Sequence, residues 1–86
     1  MENRFINVGL GNFLSTNRIM AIADPDSAPA RRDMSIFREN GNLRDFTKGR
    51  RTRALIYMDD GTAIQSNTMP GTIANRDADK DGREFI

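Results

Sequence analysis

The chain has 86 residues, 37% of them apolar, and contains neither cysteine nor histidine. This length supports one small domain that buries only about 60% of its unfolded surface. The missing residue types exclude disulfides, thiol nucleophiles, the commonest zinc sites and imidazole acid–base chemistry. Net charge is +1, but residues 1–53 hold ten bases against six acids and residues 54–86 hold three against six, so a near-neutral total hides a basic region.

Eleven of the thirteen bases are arginine, a bias toward planar, bidentate contacts with phosphate or guanine that also occurs in buried ion pairs. The longest apolar run, Ala54 to Met58, is far too short to span a bilayer, and no basic head followed by a long apolar run opens the chain. A cytoplasmic protein with no membrane partner is expected.

In chain order, Arg4 to Val8 reads as a strand, Gly9-Leu10-Gly11 as a tight turn, and Asn12 to Ser15 as the returning strand. Gly9-Leu10-Gly11 lacks the third glycine and the following helix of a dinucleotide fingerprint, so nucleotide binding is discounted. Arg18 to Ala23 is a third strand, ended by the turn Asp24-Pro25-Asp26. Asp26 or Ser27 then caps a helix with Pro29 in its first turn. Ala30, Met34 and Phe37 share its inner face, and Gly41 stops it. Arg31, Arg32, Ser35, Arg38 and Glu39 form the outer face, with Asp33 at the boundary.

A short strand from Leu43 to Phe46 precedes the loop Lys48-Gly49-Arg50-Arg51-Thr52-Arg53, which runs into a strand ending at Met58. Asp59-Asp60-Gly61-Thr62 is a hairpin turn into Ala63 to Ser66. Five consecutive apolar residues in Ala54 to Met58 call for a strand covered on both sides, or for one face closed by another subunit, the option that suits a chain this small. Pro70 opens a short helix over Thr72 to Arg76. The tail Asp77 to Ile86 alternates charges without apolar periodicity and is expected to be loosely ordered, beyond a single domain over residues 1–76. Asp77, Asp79 and Asp81 are spaced like the start of a calcium loop, but Glu84 comes too early to close one, so no metal is expected. No set of side chains assembles into a nucleophile, base and metal, which points away from an enzyme, a cofactor or a small-molecule substrate.

The basic loop carries the functional signal. Lys48, Arg50, Arg51 and Arg53 sit together without an acid; such a cluster repels itself unless a negative partner lies opposite, and nucleic acid is the polymer with regularly spaced negative charge. The bland alternative is a solvated turn. Gly49 lets backbone approach a phosphate, or is simply the residue the turn needs. Arg18 is expected on the same rim as this loop, or else as an edge-strand charge that discourages aggregation. Arg31 and Arg32 occupy the first helical turns, where positive charge is unfavourable to the dipole, so stability explains them poorly. The turn acids Asp24, Asp26, Asp59 and Asp60 have ordinary backbone reasons to occur where they do.

Phe5-Ile6-Asn7-Val8-Gly9, Asn17-Arg18, Pro25-Asp26-Ser27-Ala28-Pro29 and Gly49-Arg50-Arg51-Thr52-Arg53-Ala54 together resemble the bacterial RemA/YlzA family of matrix-gene regulators. The likeness runs from Phe5 to about Ser66 and continues weakly through Arg76. It implies an α+β fold similar to LytTR domains: a small, mostly antiparallel sheet with one main helix and a short C-terminal helix. It also implies a DNA-binding regulator of biofilm matrix genes that assembles into a homo-oligomeric ring, the octamer being one option for its size. Carried over by motif, Arg18, Arg50 and Arg51 are the DNA contacts, Arg32 is a helper, and Pro29 is a position important for function. Arg31, Lys48, Arg53 and Gly49 complete the candidate set. The chain departs from the pattern at Ala30, Asp33, Phe37, Arg44 and Phe46.

The resulting expectation is a nucleoid-associated protein whose arginine rim binds and bends promoter duplex. Two rivals are a scaffolding ring for acidic protein partners and an RNA-binding protein. The second needs aromatic stacking platforms, while only Phe5, Phe13, Phe37, Phe46, Tyr57 and Phe85 are available and most of these are expected at core positions.

Overall fold

The computed structural model describes residues 4–81, with side chains as far as Arg76. Strands β1 (Phe5–Asn7) and β2 (Phe13–Ser15) form an antiparallel hairpin. A 3-10 turn over Thr16–Arg18 leads into β3 (Ile19–Ala23), followed by helix α1 (Ala28–Glu39), β4 (Leu43–Asp45), β5 (Ala54–Met58), β6 (Ala63–Ser66) and helix α2 (Pro70–Asp81). The last four strands pair in the order β3-β5-β6-β4. The architecture is α+β, but the expected single sheet is two, and β4 runs parallel to β6 while the other pairings are antiparallel. A parallel neighbour follows from the crossover: the loop after β4 leads into β5, which fills the place between β3 and β6.

Local chemistry sets the element ends. Ser27 caps α1, its Oγ accepting from the Ala30 N–H at 3.3 Å, and Pro29 sits where the helix has no use for an amide hydrogen. Gly41 follows the Asn40 cap at φ +76, the left-handed residue that releases the chain. In the first hairpin the Val8 N–H donates to the Asn12 carbonyl at 2.8 Å across three successive residues of positive φ. Gly9 there is required twice over. Its φ is +106, and a Cβ would meet Thr68 Oγ1 at 2.5 Å and Asn67 Oδ1 at 2.6 Å.

Strand β5 organises the core because its alternate residues serve two layers. Ala54 and Ile56 join Ile6, Val8, Leu14, Ile64 and Ile73, placing the hairpin and α2 on one face. Leu55 joins Ala30 and Ala63, with Met34, Phe37 and Tyr57 against them, placing α1 on the other. The apolar run is therefore covered on both sides within one subunit, and no neighbour is needed to close it. Leu55 and Ile56 have no exposed surface, each contributing about 1.5–3 kcal/mol by burial.

Two further points refine the expectations. Of the aromatics expected mostly in the core, Phe37, Phe46 and Tyr57 pack against it, while Phe5 and Phe13 are 53% and 58% exposed. In a three-residue strand the alternation allows one inward position, and Ile6 and Leu14, opposite one another, take it. Helix α2 continues to Asp81, past Arg76 where the short helix was expected to end. The rest of the expected loose tail, and the side chains of Asp77, Asp79 and Asp81, lie outside the described residues.

Four of the five departures from the family pattern find local partners. Ala30 and Phe37 belong to the same cluster, a small residue beside a large one. Asp33 accepts from the Tyr57 hydroxyl at 2.5 Å, so the carboxylate has its own donor. Phe46 packs on the opposite cluster, and Arg44 is exposed.

Candidate nucleic-acid interface

The basic loop is anchored on both sides and free at its tip. Thr47, 2% exposed, donates from N–H and hydroxyl to one oxygen of Asp45 at 2.9 and 2.6 Å. That hydroxyl, then the N–H, holds the Asp45 carboxyl below its ordinary range, outweighing the small cost of burial. Arg50 N–H returns to the Thr47 carbonyl at 3.0 Å, and Lys48 and Gly49 between them have φ of +54 and +83. Two central residues of positive φ make this the tight turn that favours glycine. No atom lies within 4 Å of a Cβ built on Gly49, so the glycine answers to conformation rather than crowding. On the far side, Arg53 N–H donates to the Ser66 carbonyl at 2.7 Å and Gln65 Nε2 donates to Thr52 Oγ1 at 3.0 Å.

The same end of the sheet receives the start of α1. Ala23 pairs with Leu55 at the mouth of β5, and the chain turns through Asp24-Pro25-Asp26 into the Ser27 cap. Arg31 and Arg32 follow in the first turns of the helix, both exposed. Arg51 Nη2 reaches Asp26 Oδ2 at 3.5 Å, joining the loop to the helix start. A cavity of about 120 Å³ lies between them, lined by Asp24, Asp26, Arg51, Arg53 and Pro70 among others. Thus Arg31, Arg32, Lys48, Arg50, Arg51 and Arg53 are all exposed at one end, with Pro29 and Gly49 exposed in the elements that carry them.

Arg18 is elsewhere. The antiparallel register sets Ile19 opposite Met58 and Ala23 opposite Leu55, so Arg18 stands beyond the exit of β5 while Arg51 stands before its start. The strand between them spans about 13 Å at ~3.3 Å per residue. The shared rim expected from the sequence is not formed within one subunit. Arg18 Nε donates to Asp59 Oδ1 at 3.1 Å, and Asp59 N–H donates to the Arg18 carbonyl at 2.9 Å. Asp60, next in the turn, is held below its ordinary range chiefly by the Thr62 hydroxyl and N–H, with a smaller effect from Arg18.

In sequence, Asp26 and Asp59 read as turn residues only. Both also pair with candidate arginines, and the signal that would have found the second pair was the register of β3 on β5. The Asp45–Thr47 anchor is likewise not expected from the sequence; its two-residue spacing before a Lys-Gly turn was the available clue.

Among the described residues no helix is long and apolar enough to cross a membrane, and no group of acidic residues is arranged to hold a metal ion. The fold is a small α+β unit with a cationic loop-and-helix end. More particularly, residues 5–76 match the RemA-like family, described as extracellular matrix regulatory protein A-like, and the chain belongs to that family. A relative from Carboxydothermus hydrogenoformans named "Putative regulatory protein" is 49% identical over 84 residues, covering 98% of this chain and 97% of its own. Relatives of the same description from a Synechococcus strain and from Bacillus cytotoxicus are each 50% identical over 76 residues; these cover 88% of this chain and 85% and 87% of theirs.

Proposed function

We propose that this protein is a DNA-binding transcription regulator of extracellular matrix genes, acting in the cytoplasm on promoter DNA as a ring-shaped homo-oligomer, with residues 5–76 as the working part and no catalytic activity. The observation that carries this reading is the gathering of six exposed basic side chains at the mouth of β5 by an anchored loop and the start of α1. Membership of a family described as regulatory supports it from a separate direction.

One subunit offers few phosphate contacts, and repetition supplies the rest. Identical sites linked in a closed assembly engage at high effective concentration. A duplex bent over them incurs a deformation cost of order 1–6 kcal/mol that depends on local sequence, so selectivity arises from deformability as well as base contacts. Arg18 joins the same duplex from the far end of β5, more than the ~13 Å length of that strand away from Arg51. The exposed Phe5, Phe13 and Met20 provide apolar surface for contacts between copies.

Gel shifts with an AT-rich promoter fragment at two salt concentrations test the reading, comparing the parent with Arg50→Ala and Arg51→Ala. Loss of binding with the oligomer intact by light scattering supports contact roles; unchanged affinity defeats the proposal. RNA binding is a second reading that draws on one observation, the exposure of Phe5 and Phe13 on the outer face of the hairpin. Competition by single-stranded RNA, abolished by Phe13→Ala, would favour it over duplex DNA.

A further inference from the structure

Arg18 presents a puzzle of sign. Its surroundings hold two carboxylates, Asp59 and Asp60, against its single positive charge, so the local field does not draw a phosphate toward it. Any contribution to DNA binding must come from geometry. The two acids divide their work: Asp60 Oδ1 accepts from the Thr62 N–H at 3.1 Å and its hydroxyl at 2.6 Å, closing the hairpin turn, whereas Asp59 turns to Arg18.

The contact Asp59 makes is specific in kind. It engages Nε, the inner nitrogen of the guanidinium, at 3.1 Å. The two terminal nitrogens are not used by that bond, and they form the edge of the group that matches two oxygens of a phosphate. The backbones are tied as well, Asp59 N–H to the Arg18 carbonyl, so the carboxylate is carried at a set place beside the arginine stem. Both side chains are substantially exposed, at 58% and 43%. An exposed pair of this kind contributes little to stability, which leaves the fold a poor reason for it.

We infer that Asp59 is a positioning residue for Arg18, holding the guanidinium through Nε so that its terminal nitrogens face outward as a preset fork for one DNA phosphate. The inference rests on the DNA-binding function proposed for the chain. Preorganisation raises affinity because a long side chain ordered in advance loses less freedom on binding. Arg51 lacks the same arrangement: its contact with Asp26 is made by a terminal nitrogen at 3.5 Å, and occupies part of the edge a phosphate would use.

The test turns on a change of sign. Removing a carboxylate near DNA tightens binding if charge is all that matters; removing a positioning group weakens it. Promoter-fragment affinity is measured by fluorescence anisotropy for the parent, Asp59→Ala, Asp59→Asn, Arg18→Ala and the Arg18→Ala/Asp59→Ala double variant, each checked for parental assembly and melting temperature. The expected result is a loss of about fivefold for Asp59→Ala and recovery to near parental affinity for Asp59→Asn, whose carbonyl oxygen still accepts from Nε. The double variant should be no weaker than Arg18→Ala, because the acid acts only through the arginine. Tighter or unchanged binding by Asp59→Ala overturns the inference while leaving the DNA-binding reading in place. Absence of binding by the parent removes that reading, and the inference with it.

Discussion

The two ends of β5 carry arginine in opposite ways. At its start, six exposed basic side chains lie near Asp24, Asp26 and Asp45, and the loop that bears four of them is pinned at Thr47, Thr52 and Arg53 and free at its Lys48-Gly49 tip. At its exit Arg18 stands beside Asp59 and Asp60, held through one nitrogen by Asp59. In the proposed function the first end would act by accumulated field, which is long in range and weakened by salt. The second, in the same proposal, would act by placement. A count of arginines would treat the two alike, whereas their surroundings differ.

The largest expected effect comes from dismantling the field. Arg50→Ala with Arg51→Ala should reduce promoter affinity by one to two orders of magnitude at low salt and lower the log–log salt slope by about 0.9 for each phosphate left without its arginine. A slope that stays at the parental value, seen in titrations between 50 and 200 mM salt (~0.05–0.2 M), would break the comparison. Next in size are the two acids. Asp59→Ala should weaken binding about fivefold, the difference a preset side chain makes, while Asp26→Ala should tighten it about twofold by freeing Arg51. Anisotropy titrations of both variants distinguish the two ends most directly, through their opposing signs.

A smaller change is expected from the loop anchor. Thr47→Val removes a buried hydroxyl from a carboxylate and should cost about 1 kcal/mol, read by denaturant unfolding, together with faster amide exchange at Lys48 and Gly49. Its acid counterpart follows from the lowered pKa of Asp45. A depressed carboxyl stabilises the fold above its ordinary value near ~3.9, and that contribution disappears as pH falls through the lowered folded value. The loop should therefore remain anchored at neutral pH and loosen only in acid. Gly49→Ala, which retains space but strains a φ of +83, should cost about 1–2 kcal/mol and reduce DNA affinity only through the loop.

The least effect on either end is expected between them. Tyr57, the chain's one tyrosine, has its hydroxyl pushed up to about 12 by burial and by the bond to Asp33. An absorbance titration should find that midpoint, and Asp33→Asn should lower it without altering DNA binding. Since the folded value lies above the unfolded value of ~10, this contribution is complete below ~10 and lost as pH rises through the folded value.

Local order supplied much of this protein on its own. The Ser27 cap, the Pro29 position, the face shared by Ala30, Met34 and Phe37, the stop at Gly41 and the Asp59 to Thr62 hairpin depend on neighbours a few residues apart, so spacing reveals them. The cationic loop was equally legible, because its charges are contiguous. Tertiary structure decided what contiguity cannot. It set β4 parallel to β6, wrapped β5 from both faces inside one subunit, and turned Phe5 and Phe13 outward. It also carried Arg18 away from Arg51 and beside Asp59, forty-one positions along the chain. Which strands become neighbours, and in which direction, depends on long-range pairing, and that pairing alone determines which arginines share a surface.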